Sequence, residues 1–211
     1  MQCSWTPEIY GLIETLASRV RVLSLKQIHQ GWPEMQASPQ GILPTVNRLV
    51  QAGLLIGDIR KLQEPPITEL PLCNWSPGYP KPNFELLKNH IQSRWDGPPL
   101  SMPIVAATQK ACNLFGSSAG EIPPLTHLNH DLLLAQVHIQ YRCQQPELCE
   151  NWLGEDAVEM AEHGIKNPDA FLFDSNGNVA RVIESTGNYS LKQLESFHHH
   201  CQVSDLPYEL W

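Results

Sequence analysis

PDAFLFDSNGNVARVIEST, residues 168–186, is the stretch whose reading decides the fold. Asn176-Gly177 at its centre is the strongest two-residue signal for a tight hairpin turn. The arms, Asp169–Phe173 and Val179–Thr186, place Phe171, Phe173, Ala180 and Val182 on one face and Ala170, Leu172, Val179 and Ile183 on the other. Two apolar faces predict central strands covered by helices on both sides, an α/β arrangement. With Asn176 and Gly177 as the central turn residues, Asp169 lies directly opposite Glu184. Directly opposed side chains share a face with Cβ atoms about 4.5–5.5 Å apart. Two carboxylates so placed are expected to share a proton or hold a divalent cation. A turn centred on Gly177-Asn178 would oppose Asp169 to Thr186 instead, with Glu184 on the diagonal.

Working outward from the hairpin, Thr126 to about Arg142 reads as a long helix carrying Leu128, Leu132, Leu134, Ala135 and Ile139. A weaker helical stretch covers Glu155–His163. Ser190 with Gln193 forms a capping box that opens a helix to about Cys201, and Leu206–Trp211 can add a strand.

The N-terminal third has a different rhythm. Thr6 can cap a helix with Pro7 in its first position, and Ile9, Leu12, Ile13, Leu16, Ala17 and Val20 form one apolar face. Ser24 and Gln27 make a second capping box. A third helix runs from about Ile42 to Ala52 and ends at Gly53, with Pro44 tolerated in its first turn. Leu54–Ile56 and Ile59–Leu62, around Gly57-Asp58, read as a short hairpin. Six prolines between 64 and 82 mark a linker or extended arm. Beyond it an amphipathic helix is expected around Phe84–Trp95 and another near Ala106–Phe115. The boundaries are therefore 1–63, 64–82 and 83–211.

Hydrophobic residues at 42% and charged residues at 17% describe a folded chain and exclude intrinsic disorder. No apolar run approaches a membrane span, and the first residues lack a signal-peptide pattern. The six cysteines are scattered without a CxxC pair, which predicts reduced thiols and a cytoplasmic location. Residues 1–64 hold six Lys/Arg against five acids, whereas the remainder holds eight against seventeen. Nucleic-acid contact is thus expected to centre on the N-terminal part, because phosphate binding needs positive charge. His198-His199-His200 on a helix point about 100° apart and cannot converge on one ion. His127, His130, His138 and Cys143 match no zinc spacing and read as surface or packing residues.

Three short helices followed by a hairpin resemble the winged-helix family, with Val46-Asn47-Arg48-Leu49-Val50-Gln51-Ala52-Gly53-Leu54-Leu55 similar to a recognition helix and its exit into the wing. The resemblance implies that Thr45, Asn47, Arg48 and Gln51 face double-stranded DNA and that Arg60 and Lys61 lie on the wing. A winged helix used for protein contacts or dimerisation is the alternative.

A helix, then Pro-Asp on one strand and Glu on the next, then a helix, resembles the restriction-endonuclease-like superfamily with its PD-(D/E)xK motif. Together with the winged helix it is similar to the replication-relaxation group of mobile elements. The resemblance implies that Asp131, Asp169 and Glu184 hold Mg²⁺, which polarises phosphate and generates hydroxide. The motif lysine falls at Thr186, and Lys192 is the nearest base that can replace it. Loss of such a charge-stabilising group costs about 3–4 kcal/mol in a transition state. The expectation is a DNA-binding accessory or regulatory protein with a catalytically silent nuclease-like domain that contacts a protein partner or a second copy. A Mg²⁺-dependent endonuclease using Asp169 and Glu184 is the second reading, and a pure protein-interaction module is the third.

Overall fold

A computed structural model of the chain describes residues 5–35, 41–66, 69–95, 97–158, 167–187 and 189–211. The architecture is mixed α and β, with two open sheets. Helix α1 (Pro7–Glu14) opens with proline in its first turn and continues as a π-helical turn, Thr15–Arg19. Strand β1 (Leu23–Ser24) leads into α2 (Leu25–Gly31), where Ser24 and Gln27 form the expected reciprocal capping box. Helix α3 (Ile42–Gln51) follows, and Gly53 leaves it at φ +69°, a conformation that costs glycine little.

The expected hairpin at 54–62 is a single strand, β2 (Leu55–Leu62). Gly57 does not take the positive φ that a Gly-first hairpin turn needs. Its whole length pairs antiparallel with β4 (Leu100–Ala107), from Leu55↔Ala107 to Leu62↔Leu100. Eight continuous pairs satisfy more backbone than two short arms would. The first sheet has the order β1-β4-β2. Its third strand and the following helix α5 (Gln109–Phe115) come from beyond residue 83, so the boundary at 63 does not separate the elements.

The proline-rich segment is also not wholly irregular. Strand β3 (Cys73–Trp75) lies within it, free of proline itself, and pairs at a sheet edge with β8 (Tyr208–Leu210). Helix α4 (Phe84–Ser93) is capped by Asn83, whose side chain accepts from the Leu86 N–H. Helices α6 (Leu125–Gln144) and α7 (Pro146–Glu150) precede β5 (Trp152–Gly154). Of the helix expected at 155–163, Glu155–Ala157 forms a 3₁₀ turn that Val158 leaves in extended backbone, and residues 159–163 lie outside the described residues.

Strands β6 (Ala170–Phe173) and β7 (Val179–Glu184) keep the expected register, with Ala170↔Ile183 and Phe171↔Val182. Their turn is one residue earlier than read from the sequence. The Gly177 N–H reaches the Asp174 carbonyl at 3.1 Å, and Gly177 sits at φ +81°. A bulge between Leu172 and Phe173 absorbs the shift. It moves Val179 onto the face of Phe173 and leaves Ala180 exposed, the reverse of the simple alternation. Helix α8 (Leu191–Val203) starts at the Ser190–Gln193 capping box, and β8 returns parallel to β7. The second sheet reads β3-β8-β7-β6-β5.

Phe171 and Val182 pack against α4 and α8, whereas Ala170, Leu172 and Ile183 pack against Leu134, Val137 and Tyr141 of α6. The other side of α6 completes the core of the first sheet through Leu128, Leu132, Ala135 and Ile139. The two halves also meet where the π-helical turn crosses β5. Trp152 Nε1 donates to the Arg19 carbonyl at 3.0 Å, and a Cβ on Gly154 would lie 2.7 Å from that same oxygen. Gly154→Ala is therefore expected to destabilise the fold by about 1–3 kcal/mol through overpacking. Gly97→Ala, with nothing within 4 Å, should stay within about 0.5 kcal/mol of the parent. Urea unfolding of the two variants checks the contrast.

Candidate functional site

The second turn of α6 brings His130 and Asp131 to the open ends of β6 and β7. Asp131 points inward and is 3% exposed; its Oδ1 lies 3.2 Å from His130 Nδ1. The other ring nitrogen, Nε2, lies 3.0 Å from Asp169 Oδ2. That carboxylate oxygen also accepts the Ser185 N–H at 2.8 Å. Burial works against a charged ring, but hydrogen bonds to Asp131 and Asp169, and their negative charge, outweigh it and raise the His130 pKa to about 10. At neutral pH an imidazolium joins the two aspartates.

Glu184 is buried as well, and its partners are different. Its Oε2 accepts the backbone N–H of Asp169 at 3.2 Å, and Oε1 accepts the Tyr189 hydroxyl. Asp131 and Asp169 line a cavity of about 20 Å³ beside Arg21 and Asp156, room for a single water. Glu184 opens instead on a groove of about 640 Å³ along α8, with Tyr189 and His200. The shared face expected for the two carboxylates is thus not realised at their side-chain ends, because Asp169 lies one residue outside the last ladder pair and turns to His130. Among the described residues no three His, Cys, Asp or Glu side chains are grouped to hold a metal ion. Two aspartates closed around an imidazolium, with Glu184 directed elsewhere, do not fit a three-carboxylate Mg²⁺ site.

Thr186, at the motif-lysine position, is buried and is held by a cation from another element. Arg94, just past the end of α4, donates from Nη2 to both the carbonyl and the hydroxyl oxygen of Thr186 at 2.8 Å. Burial lowers the Arg94 pKa to about 10. Lys192 is exposed on the first turn of α8, and among the described residues nothing ties it to Glu184. His130, Arg94 and Tyr189 were not legible as site residues, since no spacing connects positions 94, 130 and 189. The adjacency of His130 and Asp131 was the one available signal.

On the first sheet's side, Asn47, Arg48 and Gln51 are exposed on α3, as expected for a contact surface. Thr45 is the exception. It is 4% exposed and its hydroxyl donates to the Gly41 carbonyl at 2.8 Å, satisfying an internal acceptor rather than facing solvent. Arg60 and Lys61 are exposed on β2, with Arg60 paired to Asp58 at 2.6 Å. They sit on a continuous strand instead of a short hairpin. No described helix is long and apolar enough to cross a membrane. Compared with known proteins, the chain matches no family model, no curated protein and no solved structure.

His138, further along α6, is fully buried with Nε2 3.3 Å from Cys149 Sγ and Trp152 edge-on to its ring. Burial, then the charges of Arg19 and Arg142, lower its pKa to about 3. The two histidines have opposite linkage. His138 stays neutral in the fold, so stability is expected to fall as pH drops from about 6.5 towards 3, by up to about 1.4 kcal/mol per pH unit. His130 contributes stability that is full below about 6.5 and is lost as pH rises through 10. Proton NMR should find the His130 ring still protonated at pH 8, with its pKa falling in Asp169→Asn. Urea unfolding from pH 7 to 4 should show a shallower acid slope in His138→Gln than in the parent.

Proposed function

We propose that this chain is a DNA-binding accessory or regulatory protein in which a winged helix is joined to a nuclease-like unit that does not cleave. The observation that carries the DNA-binding part is α3. It follows α2 and precedes β2 in the order of a winged helix, and it presents Asn47, Arg48 and Gln51 to solvent. The β2–β4 ribbon beside it carries Lys61 and Arg60 in the role of a wing. Residues 63–99, which include β3 and α4, are inserted where a wing would turn. The wing stem is thereby tied to the second sheet.

The second unit supports the resemblance to the restriction-endonuclease-like superfamily through the placement of its acids. Asp131 is on the helix before the hairpin, Asp169 precedes one strand, Glu184 ends the next and α8 follows. The closure of His130 on Asp131 and Asp169 favours the silent reading, since a side-chain cation stands where Mg²⁺ would be needed. In that reading the acidic second half serves as a scaffold for a protein partner or a second copy.

Binding to double-stranded DNA, followed by fluorescence anisotropy, should weaken steeply as salt rises. Arg48→Glu should weaken it by about tenfold or more and lower the salt slope by about 1 or more. Asp169→Ala should leave binding within about twofold of the parent. Salt-insensitive or absent binding would point to the protein-interaction module. Cleavage in Mg²⁺ or Mn²⁺ that Asp169→Ala abolishes would install the endonuclease reading.

A further inference from the structure

A strand at the edge of a sheet leaves every second backbone N–H and C=O without a ladder partner, which is an opening for another strand. In the order β1-β4-β2, β2 is such an edge, and among the described residues no strand pairs with its outer side. The phase of its ladder is fixed by the Thr108 N–H, which donates to the Leu54 carbonyl at 3.0 Å. Directly opposed residues of an antiparallel pair exchange hydrogen bonds at every second position. Ile56, Asp58, Arg60 and Leu62 therefore bond to β4, whereas Leu55, Gly57, Ile59 and Lys61 turn their backbone groups outward. In keeping with this phase, the Ile59 N–H donates to Asp58 Oδ1 at 2.7 Å. Gly57, Ile59, Arg60 and Lys61 are all exposed. The opposite edge of the sheet offers less: β1 is two residues long, and Pro103 next to it lacks the N–H that would face outward there.

The exposed stretch Gly57-Asp58-Ile59-Arg60-Lys61 is self-complementary when it is read antiparallel about Ile59. With Ile59 opposite Ile59 of a second copy, Asp58 falls opposite Arg60 of that copy, and Arg60 opposite its Asp58. The outward positions 57, 59 and 61 then form the bonded pairs. Asp58 and Arg60 occupy the non-bonded pairs, where side chains approach most closely, and opposite charges meet twice. The neighbouring registers that keep the outward positions paired oppose Arg60 to Arg60 or Asp58 to Asp58, which is unfavourable. In the single chain Arg60 Nη2 lies 2.6 Å from Asp58 Oδ2, so the two side chains exchange partners rather than lose them. On the other face Ile59 is 69% exposed, with Pro103 opposite it on β4. Pairing places two Ile59 side chains against each other between two Pro103 rings and removes that apolar surface from water.

We infer that the β2 edge is a docking surface for a second copy of this chain, the two β2 strands pairing antiparallel about Ile59. The pairing joins two three-stranded sheets into one of six strands. It does not rest on the DNA-binding reading, since Arg60 is ion-paired in the single chain as well as in the pair and the exposed residues of α3 take no part.

The test is sedimentation equilibrium of the full chain, at concentrations up to about 0.1 mM because a short strand pair is a small interface. The parent should form a dimer. Asp58→Arg sets cation against cation across the pair, and Arg60→Asp sets acid against acid. Each variant alone should dimerise about tenfold or more weakly than the parent. An equal mixture of the two should recover a mixed dimer, because every charge of one chain then meets its opposite on the other. Within each variant chain the two like charges remain side by side, so recovery requires pairing between chains, and it shows that both variants are folded. Arg48→Glu, on α3, should leave the dimer unchanged, which keeps the result distinct from DNA binding. A parent that stays monomeric overturns the inference and leaves the edge to an extended segment of another protein. A dimer that tolerates both variants, or a mixture no tighter than its components, overturns it as well.

Discussion

The structure depends on the burial of α6 between the two sheets. Its apolar residues are distributed around the whole circumference rather than along one stripe, the pattern of a helix with no solvent face along most of its length. Leu128 and Leu132 close the core under β2 and β4, Ala135 and Ile139 pack with α2, and Leu134, Val137 and Tyr141 cover β6 and β7. Arg142 near the helix end donates to the Gly31 carbonyl at 2.7 Å and lies over the Trp32 ring, binding the same helix to α2. Neither sheet buries its inner face without this helix, so the two halves form one structure despite their different local rhythms.

The same burial sets the chemistry of the site. Once α6 places Asp131 under the ends of β6 and β7, its carboxylate needs a partner, because an unpaired buried charge is costly. His130 supplies the positive charge for Asp131 and for Asp169 together, and Ser185 and Tyr189 engage the neighbouring oxygens. The charges of the cluster are balanced from within the protein, although Asp131 Oδ2 has no hydrogen-bond partner among the described residues. Buried donors without a partner are found elsewhere among the described residues, at Trp32, Arg94 and Trp95.

Much of the local structure was legible in the residues. Both capping boxes, at Ser24–Gln27 and Ser190–Gln193, form as written, because each is closed by side chains three positions apart. The register of β6 and β7 was also readable, although the bulge at Leu172/Phe173 moved the turn without moving the pairing. Helical spacing alone places Thr45 outward, whereas its hydroxyl completes an acceptor at the start of α3.

What the sequence determined by itself is the set of elements fixed by near neighbours: helix starts, the Gly177 turn, and the placement of Asp131 on a helix, Asp169 ahead of one hairpin strand and Glu184 on the other. What only the tertiary structure decided is every partner chosen across a long separation. Gly57-Asp58 looked like a turn until β4, about forty residues on, offered a full-length ladder to β2. Cys73–Trp75 looked irregular among its prolines until β8 supplied an edge to pair with. Arg94 reaches Thr186 only because α4 and α8 share one face of the second sheet. Backbone hydrogen bonding and charge burial are satisfied wherever the folded chain brings a partner. Local periodicity records that a partner is needed without naming it.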